Sequence, residues 1–208
     1  EMLEMASLGA KIMQPASIQE ARLNRIEIDV RSTFSKKIGT TITRKKNIIS
    51  KNTIRGISFT KNDSKITLIG VKDKPGVAAS IFKPLYENSV NVDMVVQNIS
   101  ANSKETDLTF TIKLEDLSKT RRILENNNSI KFKKLLVNKN VSKVSIVGVG
   151  MITTPGITYR MFKALAKEKI NIEVISTSEI KISVLINKKN LKKSVEILHQ
   201  EFKLSNNL

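Results

Sequence analysis

Two Pro-Gly pairs in this sequence precede apolar stripes of helical spacing, and their position suits the binding of a small anion. The pairs are Pro75-Gly76 and Pro155-Gly156. The first N–H groups of a helix have no partner within the helix and lie at the positive end of its dipole, so they can hold a carboxylate. Gly76 lets the backbone approach without a Cβ, and Val77 and Ala78 supply first-turn amides. The alternative is that each pair only starts a helix.

One small molecule with a carboxylate is a free amino acid. It carries an ammonium as well, which needs oxygen acceptors. Four side chains near the first pair and on the segment after it can supply them: Asp73, Asp93, Gln97 and Asn98. Asp93 and the corresponding Glu173 are equally compatible with exposed carboxylates at strand ends. His199, the single histidine, falls beside Leu198 on a helical stripe, and we interpret it as a surface residue rather than a ligand or base.

The two Pro-Gly pairs belong to an internal repeat. Residues 65–71 resemble residues 143–149, and Asn91-Val92-Asp93 resembles Asn171-Ile172-Glu173. The offset is 80 residues from Pro75 to Pro155 but 78 from Lys65 to Lys143, so the second copy has a longer loop around residues 152–154. Self-similarity at a fixed period indicates a duplicated structural unit.

Each copy combines strands and helices in the same order. Alternation of period two predicts strands over residues 65–71, 92–96 and 108–114, and over 143–149, 172–175 and 180–186. Stripes of helical spacing predict a helix after each Pro-Gly pair and a last helix over residues 191–202. With a final strand to close each unit, the pattern predicts an α+β protein made of tandem βαββαβ ferredoxin-like units. Their predicted limits are residues 64–137 and 142–208.

Residues 1–55 belong to neither copy. We predict a helix over residues 1–13, a strand over 26–30 and a turn into another strand over 39–42. A piece of this length is short for an independent core, so we interpret it as the closing part of a larger α/β domain with a linker at about residues 44–56. The first residue is Glu1 rather than Met, as expected of a fragment.

Composition narrows the class of protein. The net charge is +17, but the lysines are spread in twos and threes, which favours a solvated surface. The chain has no cysteine, hence no disulfide, and no apolar run approaches the ~20 residues that span a bilayer, so we expect a cytoplasmic protein without membrane contacts.

RNA-binding RRM domains share the βαββαβ order, but Phe110 is the only aromatic on the predicted central strands, which argues against nucleic acid.

The motifs together resemble the aspartate kinase family. Residues 4–11 (Glu-Met-Ala-Ser-Leu-Gly-Ala-Lys), 30–34 (Val-Arg-Ser-Thr-Phe) and Gly39-Thr40 are similar to the closing stretch of its catalytic, amino-acid-kinase domain. Residues 73–79, 90–98 and 176–180 are similar to its two ACT domains, and the resemblance covers essentially the whole chain in order. It implies tandem ACT domains preceded by the end of a kinase domain.

The resemblance also implies an activity for the complete enzyme. That enzyme phosphorylates the side-chain carboxylate of aspartate with ATP and Mg²⁺, the first step toward lysine, threonine and methionine. Lys11 is the one position that resembles an ATP-phosphate contact, and the other catalytic positions lie upstream. The chain alone is therefore expected to have no catalytic residue, cofactor or metal of its own and to be inactive.

Two effector sites follow from the same resemblance, for lysine and/or threonine. The threonine-type site comprises Asp73, Gly76, Val77, Ala78, Gln97, Asn98 and Ser100, completed by Asn171 and Ile172 of the partner subunit. The second, lysine-type or vestigial, comprises Thr154, Gly156, Ile157, Thr158 and Ser178 with Asn91, Val92 and Asp93. We expect a homodimer through the ACT domains, which can also bind a catalytic subunit. Ligand between the units would favour one arrangement, transmitted through the linker; a stand-alone regulatory subunit is the alternative.

Overall fold

The computed structural model describes residues 1–10, 12–43, 53–99, 105–127 and 129–204. Its helices are α1 (Met2–Ser7), α2 (Pro15–Leu23), α3 (Val77–Glu87), α4 (Leu117–Asn126), α5 (Ile157–Lys167) and α6 (Leu191–Glu201). Its strands are β1 (Ile28–Val30), β2 (Thr40–Ile42), β3 (Gly56–Lys72), β4 (Val92–Ile99), β5 (Glu105–Lys113), β6 (Lys134–Val147), β7 (Ile172–Thr177) and β8 (Lys181–Asn187). A short 3₁₀ turn spans Val149–Ile152.

Six strands form one antiparallel sheet in the order β4-β5-β3-β6-β8-β7. The two central strands are long, with 17 residues in β3 and 14 in β6, because each serves both units. Residues 63–72 of β3 pair with β5 and with the start of β6, whereas residues 56–60 pair with residues 143–147. The register of β3 shifts between Thr60 and Lys65, where the strand passes from one unit to the other.

The tandem βαββαβ arrangement is confirmed, with one correction to its connectivity. In the described part of the chain no strand follows α6 to close the second copy. Residues 56–60, which precede the first unit, take that place beside β6. Ile54 is buried in the core of the second unit and Ile57 packs against it, which explains why this segment joins that sheet. The predicted unit limits stay predictions.

The N-terminal prediction was partly wrong. Helix α1 ends at Ser7 and does not extend to residue 13, because Gly9 adopts a φ of +111° and lies against the carbonyl of Phe59. A second helix, α2, begins at Pro15, whose fixed φ suits the first helical position. The two predicted strands are confirmed as the β1–β2 ladder, in which Val30 pairs with Thr40.

Each unit has its own apolar core between its helices and one face of the sheet. In the first unit Phe110 is fully buried and makes an edge-to-face contact with Phe82, with ring centroids 5.3 Å apart. Met161 and Leu165 of α5 are fully buried in the second core. Because Phe110 is enclosed, it offers no ring on which an RNA base could stack.

The other faces of the two units meet at a seam that carries two ion pairs. Lys65 Nζ lies 2.5 Å from Glu173 Oε2, and Asn138 Nδ2 donates to the same carboxylate at 3.2 Å. Lys143 Nζ pairs with Asp93 Oδ2. Lys65 corresponds to Lys143 in the repeat, and Asp93 corresponds to Glu173. The same contact is therefore made twice, once in each direction across the seam.

Both acids sit where the outer strands depart from regular pairing. The register of β4 shifts after Asp93, and that of β7 shifts at Glu173. Met94 follows with a backbone φ of +45°, which is unusual for a residue other than glycine. Its N–H donates to Asp93 Oδ1 at 2.8 Å. The bulge turns Met94 into a small buried cluster with Val141, Val174 and Leu185. Thus β4 and β7, at opposite ends of the strand order, contact each other.

Removing the acid of the Lys143–Asp93 pair should cost more than removing the base. The side chain of Lys143 is 7% exposed and that of Asp93 is 59% exposed. Asp93→Asn leaves a buried ammonium without a carboxylate, so we expect it to lower the free energy of unfolding by about 1–3 kcal/mol. Lys143→Met removes the buried charge and leaves Asp93 hydrated, which should cost less. Urea unfolding followed by circular dichroism measures both, and equal losses would contradict these roles.

The pH dependence of the same variants is the control. Burial raises the pKa of Asp93, but the hydrogen bond and charge of Lys143 outweigh it and hold that pKa below the ordinary 3.8. A carboxyl with a depressed pKa stabilises the fold above its unfolded pKa, and this contribution is lost as pH falls through the folded pKa. Below pH 3.8 the unmodified chain should therefore lose stability more steeply than Asp93→Asn.

Candidate functional site

The second Pro-Gly pair lies in a pocket of about 440 Å³ between the loop before α5 and the β7–β8 turn. One wall comes from residues 151–158 and the other from residues 177–179 with Ile182. Hydroxyls of Thr154, Thr158 and Ser178 share the pocket with the carboxylate of Glu179. Five residues predicted for the second site are brought together here: Thr154, Gly156, Ile157, Thr158 and Ser178.

The first Pro-Gly pair lies in a pocket of about 340 Å³ with a different electrostatic character. Gly76 and Val77 line it, as predicted. Three lysines contribute to its wall, two before the Pro-Gly pair and one before β6: Lys72, Lys74 and Lys131. The lining of this pocket carries positive charge, whereas the only charged lining residue of the second pocket is Glu179.

Both glycines adopt the backbone conformation that a helix start of this kind requires. Gly76 has a φ of +87° and Gly156 a φ of +88°, and each is the N-cap of its helix. Neither helix has a side-chain cap at its N-terminus, so no cap side chain occupies the first-turn N–H groups. A Cβ built at either glycine meets no atom within 4 Å, which shows open space beside the turn. The two loops therefore place helix starts without a side-chain cap beside open space, although the N–H of Val77 donates to the carbonyl of Lys74 at 3.2 Å.

The remaining predicted residues lie elsewhere in the single chain. Asn91 and Val92 line a pocket of about 470 Å³ beside Phe82 and Tyr86. Asn98 and Ile172 line a groove of about 290 Å³ on the seam, with the Lys65–Glu173 pair. The exposed residues Asp73, Gln97 and Asn171 and the partly buried Ala78 are not among the lining residues of these pockets. Lys11 and Ser100 lie outside the described residues.

Asp93 does not meet the second Pro-Gly loop within one chain. Its carboxylate is engaged by Lys143 and by the N–H of Met94. Neither Asp93 nor Glu173 is a free carboxylate at a strand end, because both belong to the seam. A site that combines Asp93 with Thr154 and its neighbours requires a second chain, and this combination stays a prediction.

Sequence reasoning missed several lining residues with functional groups, among them Lys72, Lys74, Ser80, Ser129, Lys131, Thr177 and Glu179. Glu179 belongs to the motif at residues 176–180 and lines the second pocket without being among its predicted residues. Ser129 and Lys131 precede β6 and reach the first pocket only because β6 pairs beside β3. Proximity of this kind has no signal in local spacing. Among the described residues no group of acids and histidines is arranged to hold a metal ion.

Comparisons with known proteins agree on one family. The ACT domain family model matches residues 66–127 and 144–202. The aspartate kinase of Pseudomonas fluorescens is 43% identical over 206 residues, which cover 98% of this chain and 50% of that protein. The regulatory subunit of aspartate kinase from Thermus thermophilus, solved in its ligand-free form, is 34% identical with a TM-score of 0.67. The match covers 72% of this chain and 99% of that subunit. The chain belongs to the aspartate kinase family and forms its ACT-domain regulatory region.

A further solved structure of this family, of aspartokinase α and β subunits, is 41% identical with a TM-score of 0.68. The match covers 73% of this chain and 99% of that one. The chain spans about half the length of the curated aspartate kinases it matches. In the described part of the regulatory region, no helix is long and apolar enough to cross a membrane.

The left-handed glycines of this regulatory region should resist substitution for backbone reasons alone. Gly156→Ala introduces no clash, since a Cβ meets no atom within 4 Å, but it strains a φ of +88°. We expect a loss of about 1–2 kcal/mol in the free energy of unfolding. Gly156→Asn should lose less, because Asn tolerates this conformation better. Chemical denaturation of both variants measures the difference, and an Asn variant weaker than the Ala variant would contradict the assignment.

Proposed function

We propose that this regulatory region binds lysine or threonine beside its Pro-Gly loops and controls an aspartate kinase that phosphorylates aspartate with ATP and Mg²⁺. The observation that carries the proposal is the second pocket, a cavity of about 440 Å³ whose lining combines the start of α5, residues with hydroxyl groups and the acidic Glu179. A cavity of this size accommodates a free amino acid. Catalysis itself belongs to residues beyond this chain, and Lys11 remains the one proposed ATP contact.

The second pocket has the groups that a lysine requires. The uncapped start of α5 can hold the α-carboxylate through first-turn N–H groups. Glu179 can accept from an ammonium, and Thr154, Thr158 and Ser178 can complete the hydrogen bonds. The partly buried Met151 and the buried Ile157 and Ile182 offer apolar surface to the methylene chain. Lysine is therefore the effector we assign to this pocket.

The first pocket suits a ligand without a cationic side chain. Lys72, Lys74 and Lys131 attract a carboxylate and repel a second ammonium group. The hydroxyls of Ser80 and Ser129 can bind a polar side chain. Threonine matches these groups better than lysine does. Gln97 and Asn98 point to opposite faces of β4, since neighbouring residues of a strand alternate, so only one of them can join this site.

The N-terminal segment exposes apolar side chains in a way that favours a larger domain around it. Phe34 is fully exposed and Ile38 is 93% exposed, while Ile12, Leu23 and Ile26 are each more than 60% exposed. Several exposed large apolar residues within one short segment are typical of an interaction surface. We assign this surface to the catalytic part of the kinase. Burial of Phe34 and Ile38 against the ACT units would have contradicted this origin.

Dimerisation through the ACT units is the assembly we favour. The outer strands β4 and β7 have unpaired edges in the single chain, and they lie next to each other. Val95 is 51% exposed and Ile175 is 44% exposed, and the two residues correspond in the repeat. Unpaired edges with exposed apolar residues are templates for strand addition. A second copy can therefore place its β7 beside β4, and its β4 beside β7.

Isothermal titration of each amino acid into the purified chain tests the effector assignment. We expect heat with lysine and with threonine. Glu179→Gln should weaken lysine binding about tenfold or more and leave threonine unchanged, because a hydrogen bond to a charged group is lost. Lys131→Met should weaken threonine binding in preference to lysine. Glu196→Gln on the exposed face of α6 is the matched control, and absence of heat with either amino acid, alone or mixed, would rule the proposal out.

Analytical ultracentrifugation tests the dimer. The double variant Val95→Lys, Ile175→Lys places like charges at both edges and should shift the chain from dimer to monomer over the micromolar range, by about a factor of 10 or more in Kd. Phe34→Lys, which changes a more exposed apolar residue that belongs to neither edge strand, should not. A monomeric unmodified chain, or a dimer insensitive to the edge variant, would exclude this interface.

A further inference from the structure

The two walls of the second pocket share a feature that the first pocket lacks. Each wall is bonded directly to the N-terminal segment that precedes the ACT units. Glu1 and Glu4 belong to helix α1 or its cap, and Thr53 lies just before β3. Their partners lie in the loop before α5 and in the β7–β8 turn, which are the two elements that line the pocket.

The loop wall is held at both of its ends. The N–H of Val149 donates to Glu1 Oε1 at 2.9 Å, and Glu1 Oε2 lies 3.8 Å from Arg55 Nε. The hydroxyls of Thr53 and Thr154 are 3.4 Å apart. Between these contacts the loop lies so close to Thr53 that a Cβ on Gly150 would come within 2.7 Å of the Thr53 Cα. The loop and residue 53 are in backbone contact and cannot shift independently.

The turn wall is held by an ion pair. Lys181 Nζ lies 3.2 Å from Glu4 Oε2, and both side chains are about one-third exposed. The carbonyl of Lys181 accepts from the N–H of Ser178, and the carbonyl of Ile180 accepts from the N–H of Gly148. The turn is therefore bonded to α1 on one side and to the loop wall on the other.

Helix α1 is itself fixed to the first residues of β3, which pair with β6 in the second unit. Ser58 Oγ donates to the carbonyl of Met5 at 2.9 Å. A Cβ on Gly56 would lie 2.5 Å from Met5 Sδ, so the helix packs directly on the β3 backbone. By contrast, among the described residues no hydrogen bond or ion pair joins the lining of the first pocket to residues 1–55.

We propose that α1, Thr53 and the two walls of the second pocket move together. A ligand bound in this pocket therefore acts directly on the N-terminal segment that precedes the ACT units. Among the described residues, the first pocket is connected to that segment through the shared sheet alone. The proposal rests on the proposed function for the identity of the ligand, but the coupling itself is a property of the chain. Because coupling between sites is reciprocal, loosening α1 must also loosen the pocket.

Amide hydrogen exchange with mass spectrometry tests the coupling without any ligand. The double variant Glu4→Gln, Thr53→Val removes one contact from each wall with little change in side-chain shape. We expect exchange of residues 149–154 and 177–182 to rise about three- to tenfold, while residues 72–80 around the first loop stay unchanged. Glu20→Gln on α2, whose carboxylate contacts only Asn24 among the described residues, is the matched control. No rise in either wall, or an equal rise around the first loop, would overturn the proposal.

A second arm uses lysine as the probe on the unmodified chain. We expect slower exchange of the pocket walls together with residues 3–8 of the α1 segment, and the protection of residues 3–8 should disappear in the double variant. Protection of the walls alone would overturn the coupling. Protection nowhere would instead defeat the effector assignment, and the ligand-free arm would still decide whether α1 and the pocket move together.

Discussion

Neither ACT unit can complete its sheet alone, because β3 and β6 run through both. Residues 56–60 of β3 close the second sheet before residues 63–72 open the first. A sheet edge left open exposes unpaired N–H and C=O groups, so the pairing of β3 with β6 is needed by both units at once. The two cores are separate, yet they are joined by continuous backbone. Any rotation of one unit against the other must bend these two strands.

The strands leave regular pairing at the point where they cross from one unit to the other. The register of β3 shifts across residues 60–65, next to the position where Asp63 pairs with Val141 of β6. Val141 is fully buried and belongs to the seam cluster with Met94, so the crossing point is packed rather than hollow. Lys65 and Lys143 follow this point on the two strands and carry the reciprocal ion pairs. The seam therefore specifies the angle between units by charge as well as by shape.

The duplication was readable from the sequence, because repeated motifs and period-two alternation survive wherever a strand has one buried face. The closing strand of the second unit could not be predicted from the sequence. It is formed by residues 56–60, which precede the first unit and alternate over too short a stretch. The predicted helix over residues 1–13 failed at Gly9, where contact with Phe59, a residue far along the chain, overrides local helical preference. Contacts between distant residues also explain why the Pro-Gly loops could be predicted and the other residues that line their pockets could not. Gly76 and Gly156 are recognisable from the Pro-Gly motif itself. The presence of Lys131 and Ser129 in the first pocket depends instead on the path of the sheet.

The two pockets are built on corresponding loops of the repeat but differ in their charged side chains. They also differ in their contacts with the N-terminal segment. Both retain the left-handed glycine and a helix start without a side-chain cap, which in the proposed function hold the carboxylate that all amino acids share. The charged side chains that surround them differ in sign, and under the proposed function this difference selects lysine in one pocket and threonine in the other. A ligand shifts a conformational equilibrium only by its difference in affinity for the two states, typically about 1–3 kcal/mol. Contacts such as Lys181–Glu4 and Thr154–Thr53 are each worth about 0.5–1 kcal/mol, so a few of them can carry the whole of that difference. A tighter connection would hold α1 in one state whatever the ligand did, and a looser one would transmit nothing.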